Sequence, residues 1–129
     1  MRGRTSVKTR RAPGTLFFYS QVAPSPRESV LRPATDIYST RRGWLVKMEL
    51  AGVKPDDVSI EIRGNVLEIH GSRRDYTCEE ITGHHNMEIA YQRFSRTVEL
   101  PKIVEASEVS VDFKDGMLLL RVQRNEEQL

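Results

Sequence analysis

Phe94-Ser95-Arg96-Thr97-Val98-Glu99-Leu100-Pro101, followed further on by Lys114-Asp115-Gly116-Met117-Leu118-Leu119-Leu120-Arg121-Val122, is the stretch whose reading decides the fold. Phe94, Arg96, Val98 and Leu100 share one parity, and parity in a strand means face. Leu118, Leu120 and Val122 repeat the pattern beyond the turn at Lys114-Asp115-Gly116. One member of the first stripe does not suit a core, because an isolated buried guanidinium is costly to desolvate. Arg96 therefore needs either a paired, hydrogen-bonded partner or a sheet edge from which its stem reaches water.

The same texture extends back to Trp44. Val46, Met48 and Leu50 alternate with Lys47 and Glu49 up to Ala51-Gly52, and Val58, Ile60 and Ile62 alternate with Ser59, Glu61 and Arg63. Gly64-Asn65 then predicts a two-residue hairpin leading into a strand over Val66 to His70. Asp56 and Asp57 are placed to cap one brief helical turn ahead of Val58. Val109, Val111 and Phe113 form a further strand, and Met117 and Leu119 make the last strand apolar on both faces, which predicts cover on both, from its own chain or a partner. Residues 72 to 86 are polar and read as a long loop, with Met87, Ile89 and Tyr91 resuming alternation as a short strand at its far end. No helix-period stretch competes, so the fold class is all-β, a sandwich.

At 129 residues the chain holds one domain plus an appendage. No apolar run approaches the roughly 18 to 20 residues of a membrane span, and Leu16-Phe17-Phe18-Tyr19 is too short for a secretory h-region. A soluble, cytoplasmic protein is expected, in keeping with a single cysteine, Cys78. The net charge of +2 conceals an asymmetry: residues 1–42 hold nine of the twenty basic residues and two of the eighteen acidic ones (+7), leaving eleven against sixteen (−5) for the rest. Four of the six prolines also precede Thr35. The expected organisation is a flexible basic arm over 1–32, a domain over 33–123 and a short tail over 124–129. Such an arm is a solvated tail, a contact for nucleic acid or an anionic membrane, or a strap folded onto its own or a neighbour's acidic domain.

Catalytic chemistry finds little support. Cys78, His84 and His85, with Glu79 and Glu80 nearby, are the only candidates, and Cys-x5-His-His is not a zinc spacing. There is no glycine-rich phosphate loop and no aromatic-basic strand face on which bases would stack. No enzyme activity, metal, cofactor or specific nucleic acid is expected.

Taken together, these runs resemble the α-crystallin domain of small heat shock proteins over about Pro33 to Val122. The pieces are Pro33-Ala-Thr-Asp36-Ile-Tyr38, Glu49-Leu50-Ala51-Gly52-Val53 with Asp56-Asp57-Val58, Leu67-Glu-Ile69-His-Gly71, and above all Phe94-x-Arg96-x-x-x-Leu100-Pro101 with Gly116-Met117-Leu118. The resemblance implies an immunoglobulin-like two-sheet sandwich that dimerises and serves as an ATP-independent holdase for unfolding proteins. In the bacterial, archaeal and plant branch the long loop carries a strand exchanged with the partner subunit. Here that implies homodimerisation through residues 75–91, with Met87, Glu88, Ile89, Tyr91 and Arg96 at the interface. The acid that pairs with Arg96 stays open, Glu88 being one candidate. Ile89 and Gln92 depart from the arginine and glycine usual at those positions.

The resemblance also implies a groove walled by Ile60 and Ile62 on one side and Val109 and Val111 on the other. Its usual occupant is an I-x-I tail, and none follows Val122. Dimers or small oligomers are expected, unless the basic arm or a tail-bearing relative fills the groove. Leu16, Phe17, Phe18 and Tyr19 on the arm are the expected client contacts, each burial being worth roughly 1.5 to 3 kcal/mol; the alternative is that they pack on a domain at rest. The rival functional reading is an assembly-regulating module, either a subunit capping tailed relatives or a p23/CS-like co-chaperone domain.

Overall fold

A computed structural model describes residues 7–11, 30–105 and 107–125. Period-two alternation becomes strand throughout: β1 (Lys8–Arg11), β2 (Thr35–Ser39), β3 (Gly43–Glu49), β4 (Val58–Arg63), β5 (Val66–Ser72), β6 (Arg93–Glu99), β7 (Glu108–Lys114) and β8 (Met117–Gln123). They form two four-stranded sheets, in the order β1-β4-β5-β6 and β2-β3-β8-β7. All neighbours are antiparallel except β1 and β4, which run parallel.

One parity of each strand supplies the core. Val58, Ile60, Ile62, Leu67 and Ile69 of one sheet are sealed from solvent, as are Val46, Met48, Leu118, Leu120 and Val122 of the facing sheet. Turn chemistry fixes the register that keeps these parities aligned. Asp115 and Gly116 both take positive φ, 52° and 77°, the primed turn that suits a two-residue hairpin between β7 and β8. The expected turn at Gly64-Asn65 joins β4 to β5, with Arg63 opposite Val66. The short segment Pro55–Asp57 forms one 3-10 turn, closed by the Asp57 N–H donating to the Lys54 carbonyl at 2.9 Å.

Within the arm expected over residues 1–32, β1 joins the first sheet, and Leu31 bridges to Phe94 of β6. Two sequence expectations change. Residues 75–91 contain no strand: within the single subunit this segment pairs with no neighbouring edge. Met117 and Leu119 are half-buried rather than covered. Lys47 and Asp112 flank Leu119 across the sheet, so its surroundings are charged neighbours rather than a second layer.

Gly71 is held by packing: a Cβ there would lie 1.9 Å from the Asp57 carbonyl oxygen and 2.8 Å from Cζ of Phe94. Gly71→Ala is expected to lower stability by about 1–3 kcal/mol, read as a lower urea midpoint at constant slope. Gly83→Ala, into open space, is the control and should change stability by less than about 0.5 kcal/mol.

Candidate functional site

Chemistry on a sandwich without catalytic clusters concentrates where backbone or charge is left unmatched, which here means the sheet edges. On one side, β6 and β2 come together. Leu31 lies along β6, its N–H donating to the Arg93 carbonyl at 2.8 Å and its own carbonyl accepting from the Ser95 N–H at 3.0 Å. Arg96 sits on the inward stripe between the buried Phe94 and Val98, and its Nη1 donates to the Pro33 carbonyl at 3.1 Å, just ahead of β2. Its Nε is buried with no hydrogen-bond partner. Among the described residues no carboxylate reaches it; the Glu88 carboxylate accepts instead from Nδ2 of Asn86 at 2.6 Å. Beside it, β2 forms an outer edge, with Ile37 48% and Tyr38 43% exposed.

The 75–91 segment leaves the body from a fixed root. Arg73 donates through its backbone N–H to the Gln92 carbonyl at 3.0 Å and through Nε to the Ala51 carbonyl at 2.9 Å. Asp57 accepts a hydrogen bond from the Tyr76 hydroxyl and lies 3.4 Å from Nε of Arg74, while Lys54 Nζ stacks 3.9 Å from the centroid of the Tyr76 ring. The bond to Asp57 raises the Tyr76 pKa above its ordinary value, and bonds from Thr77 lower that of Asp75. Beyond this root Met87 is 59% and Ile89 65% exposed, with Tyr91 exposed beside them. Cys78 is a free, exposed thiol, and among the described residues no group of three or more histidine, cysteine or acidic side chains could hold a metal. His84 and His85 instead line the shallow cleft that this segment forms with Met87, Ile89 and Tyr91.

The opposite side brings together β4 and β7. Ile60 and Ile62 are fully buried, Val111 nearly so and Val109 partly, so all four belong to the core. The edge of β4 does not stand open: β1 pairs along it, with Thr9 opposite Ile60, while Val7 packs on the core cluster. The same register sets Lys8 opposite Ser59 and Arg10 opposite Glu61. Glu61 faces Glu68 directly across β4 and β5, a like-charge pair, with Nε2 of His70 at 3.7 Å from Glu61. A basic strand is therefore a fitting neighbour for this edge. Sequence reading missed β1 because its alternation is only a few residues long; the charge asymmetry was the available signal. Leu16, Phe17, Phe18 and Tyr19 lie outside the described residues.

If charge helps hold β1, Lys8→Glu with Arg10→Glu will speed amide exchange along β1 and the outer edge of β4, at a global cost under about 1 kcal/mol. Unchanged protection would assign the attachment to Val7 and the backbone alone.

Comparison with known proteins accords with this architecture. The model of the Hsp20/alpha crystallin family matches residues 36–129. Small heat shock protein C4 of Rickettsia felis is 33% identical over 98 residues, covering 76% of this chain and 60% of the relative. Small heat shock protein C2 of the same organism is 29% identical over 110 residues, covering 85% and 71%. Heat shock protein 16.0 from Schizosaccharomyces pombe superposes with a TM-score of 0.65 at 28% identity, covering 74% of this chain and 89% of that one. This chain thus spans about three fifths of the first relative's length. With the family model matching most of the chain and a sandwich that superposes on a solved member, the protein belongs to the Hsp20/alpha crystallin family.

Proposed function

We propose that this chain is a holdase that captures unfolding proteins without ATP, acting as a strand-exchanged dimer. The family consists of non-enzymatic chaperones that are in general ATP-independent. The observation that carries the dimer is a complementarity within one subunit. An outer β2 edge displays Ile37 and Tyr38, and an extended, strandless segment displays Met87, Ile89 and Tyr91. Adding that segment to the β2 edge of a second copy would satisfy the backbone of both. Arg96, buried in part and paired only with a backbone carbonyl, lies on the same side and would gain an acid from the partner.

Client capture follows from surface. Exposed apolar side chains at Ile103, and at Tyr76 and Ile81 within the 75–91 segment, offer contacts without sequence specificity. Leu16, Phe17, Phe18 and Tyr19 would extend that surface. Heat would shift the balance from contacts between subunits toward contacts with clients.

A second reading, regulation of assembly, is favoured by the occupied β4 edge. With its own β1 in place, the subunit offers no free strand-addition site there, and it would end growth in a mixture with tailed relatives. We propose a cytoplasmic location on the sequence grounds alone; no helix among the described residues is long and apolar enough to cross a membrane.

The deciding experiment is a client-aggregation assay without ATP, with mass followed by light scattering. Suppression by a species of dimer mass supports the holdase; no suppression at any ratio, together with shrinkage of a tailed relative's assemblies, moves the function to capping. Arg96→Ala should leave the subunit folded but weaken the dimer, because breaking a buried ion pair costs about 3–5 kcal/mol. An unchanged dimer mass on dilution would remove Arg96 from the interface.

A further inference from the structure

The turn that joins β2 to β3 opens onto a cleft of about 340 Å³ lined by Arg41, Arg42, Lys102 and Arg124, with Ser39 and Thr40 beside them. Three separate segments supply its cations: the β2–β3 turn, the connection after β6, and the residue that follows β8. Reciprocal contacts hold two of them in place. The Arg124 N–H donates to the Arg42 carbonyl at 2.8 Å, and Nη2 of Arg42 donates to the Arg124 carbonyl at 3.3 Å.

What the cleft lacks is a counter-charge. No carboxylate lines it among the described residues, although residues 43–129 carry a net charge of −5. Nε of Arg124 is buried without a hydrogen-bond partner, a donor left unmet beside the other cations, with Trp44 and Gly43 completing the lining. Cations gathered in this way repel one another until an anion sits between them. One carboxylate would neutralise one of four. A chain of phosphates carries several charges and presents paired oxygens that match guanidinium forks, with hydroxyls free to add further donors.

We propose that this cleft is a binding site for polyphosphorylated anions. It is built from side chains rather than from a glycine-rich loop, so it positions charge without the machinery for hydrolysis. It also lies apart from the exchange segment and from the β1–β4 edge, and so does not depend on the holdase reading.

The test is calorimetric titration of the full chain with inorganic tripolyphosphate. One site per chain is expected. Arg41→Glu with Lys102→Glu, both at exposed positions, should weaken binding by at least about tenfold. Arg32→Glu with Lys114→Glu makes the same change in net charge elsewhere on the exposed surface, and should alter binding by less than about threefold. Equal losses in the two double variants, or no saturable binding at millimolar tripolyphosphate, would overturn the assignment. A single-stranded oligonucleotide supplies the second arm. Competition with tripolyphosphate supports the cleft and makes its source polymeric; binding without competition supports it as a small-anion site and places nucleic acid elsewhere.

Discussion

The backbone hydrogen bonds left over at the edges of two short sheets are the constraint on which the rest of this structure depends. Each four-stranded sheet ends in two strands whose outward N–H and C=O groups must find partners or be shielded from them. The four edges are treated differently. β1, drawn from the N-terminal part of the chain, is the edge strand beside β4, and the edge of β6 is partly closed by Leu31. The β7 edge is guarded by charge: Glu108 and Lys114 are exposed at its ends, and Asp112 is held by Nη1 of Arg121 at 2.8 Å. Among the described residues, only β2 combines a free edge with exposed apolar side chains. A surface left in that state on a monomer invites another strand, and the subunit carries a strandless apolar segment of its own.

Arg96 supports the proposal that the segment pairs with a neighbour rather than with its own subunit. Its stripe is inward, between Phe94 and Val98, yet its guanidinium reaches only as far as the Pro33 carbonyl, with Nε left over. Among the described residues the charge is therefore under-satisfied, and the root of the long segment is pinned elsewhere, through Tyr76 to Asp57 and through Arg73 to Ala51. A fixed root with an unpaired far end aims the segment outward. Half-satisfied polar groups of this kind tie a domain's specificity to its assembly state.

The sandwich was legible because alternation and turn chemistry agree at nearly every strand from Gly43 onward. Val58, Ile60 and Ile62, or Leu118, Leu120 and Val122, announce their face without help, and Asp115-Gly116 announces the reversal between β7 and β8. What was not legible is what depends on a second strand. β1 has too few residues to show a period and sits in a basic, proline-bearing stretch, so its strand character comes from the edge it meets. The segment at 87–91 has the period but no edge, and so stays irregular. The residues expected to wall a groove pack in or against the core, and β1, which borders them along β4, is revealed by no local pattern. The cation cleft was hidden for a related reason: Arg41 and Arg42 are adjacent, whereas Lys102 and Arg124 join them only through the topology.

Electrostatics links these pieces into one economy of charge. An acidic body would repel a copy of itself, and the Glu61–Glu68 pair is a local instance of that repulsion. β1, a strand drawn from the basic end of the chain, pairs along the β4 edge with Lys8 opposite Ser59 and Arg10 opposite Glu61, so part of the region read as +7 lies in register with the acidic body. The cations of the turn at Arg41 and Arg42 are not used in this way, since the residues that gather around them are Lys102 and Arg124 rather than acids. Basic residues of one sequence region thus serve opposite ends: those on β1 offset charge within the fold, and those on the turn keep a positive potential open to solvent. Screening acts on both, but β1 retains its ladder and Val7 when salt rises, whereas the cleft has only charge and hydrogen-bond donors with which to hold an anion.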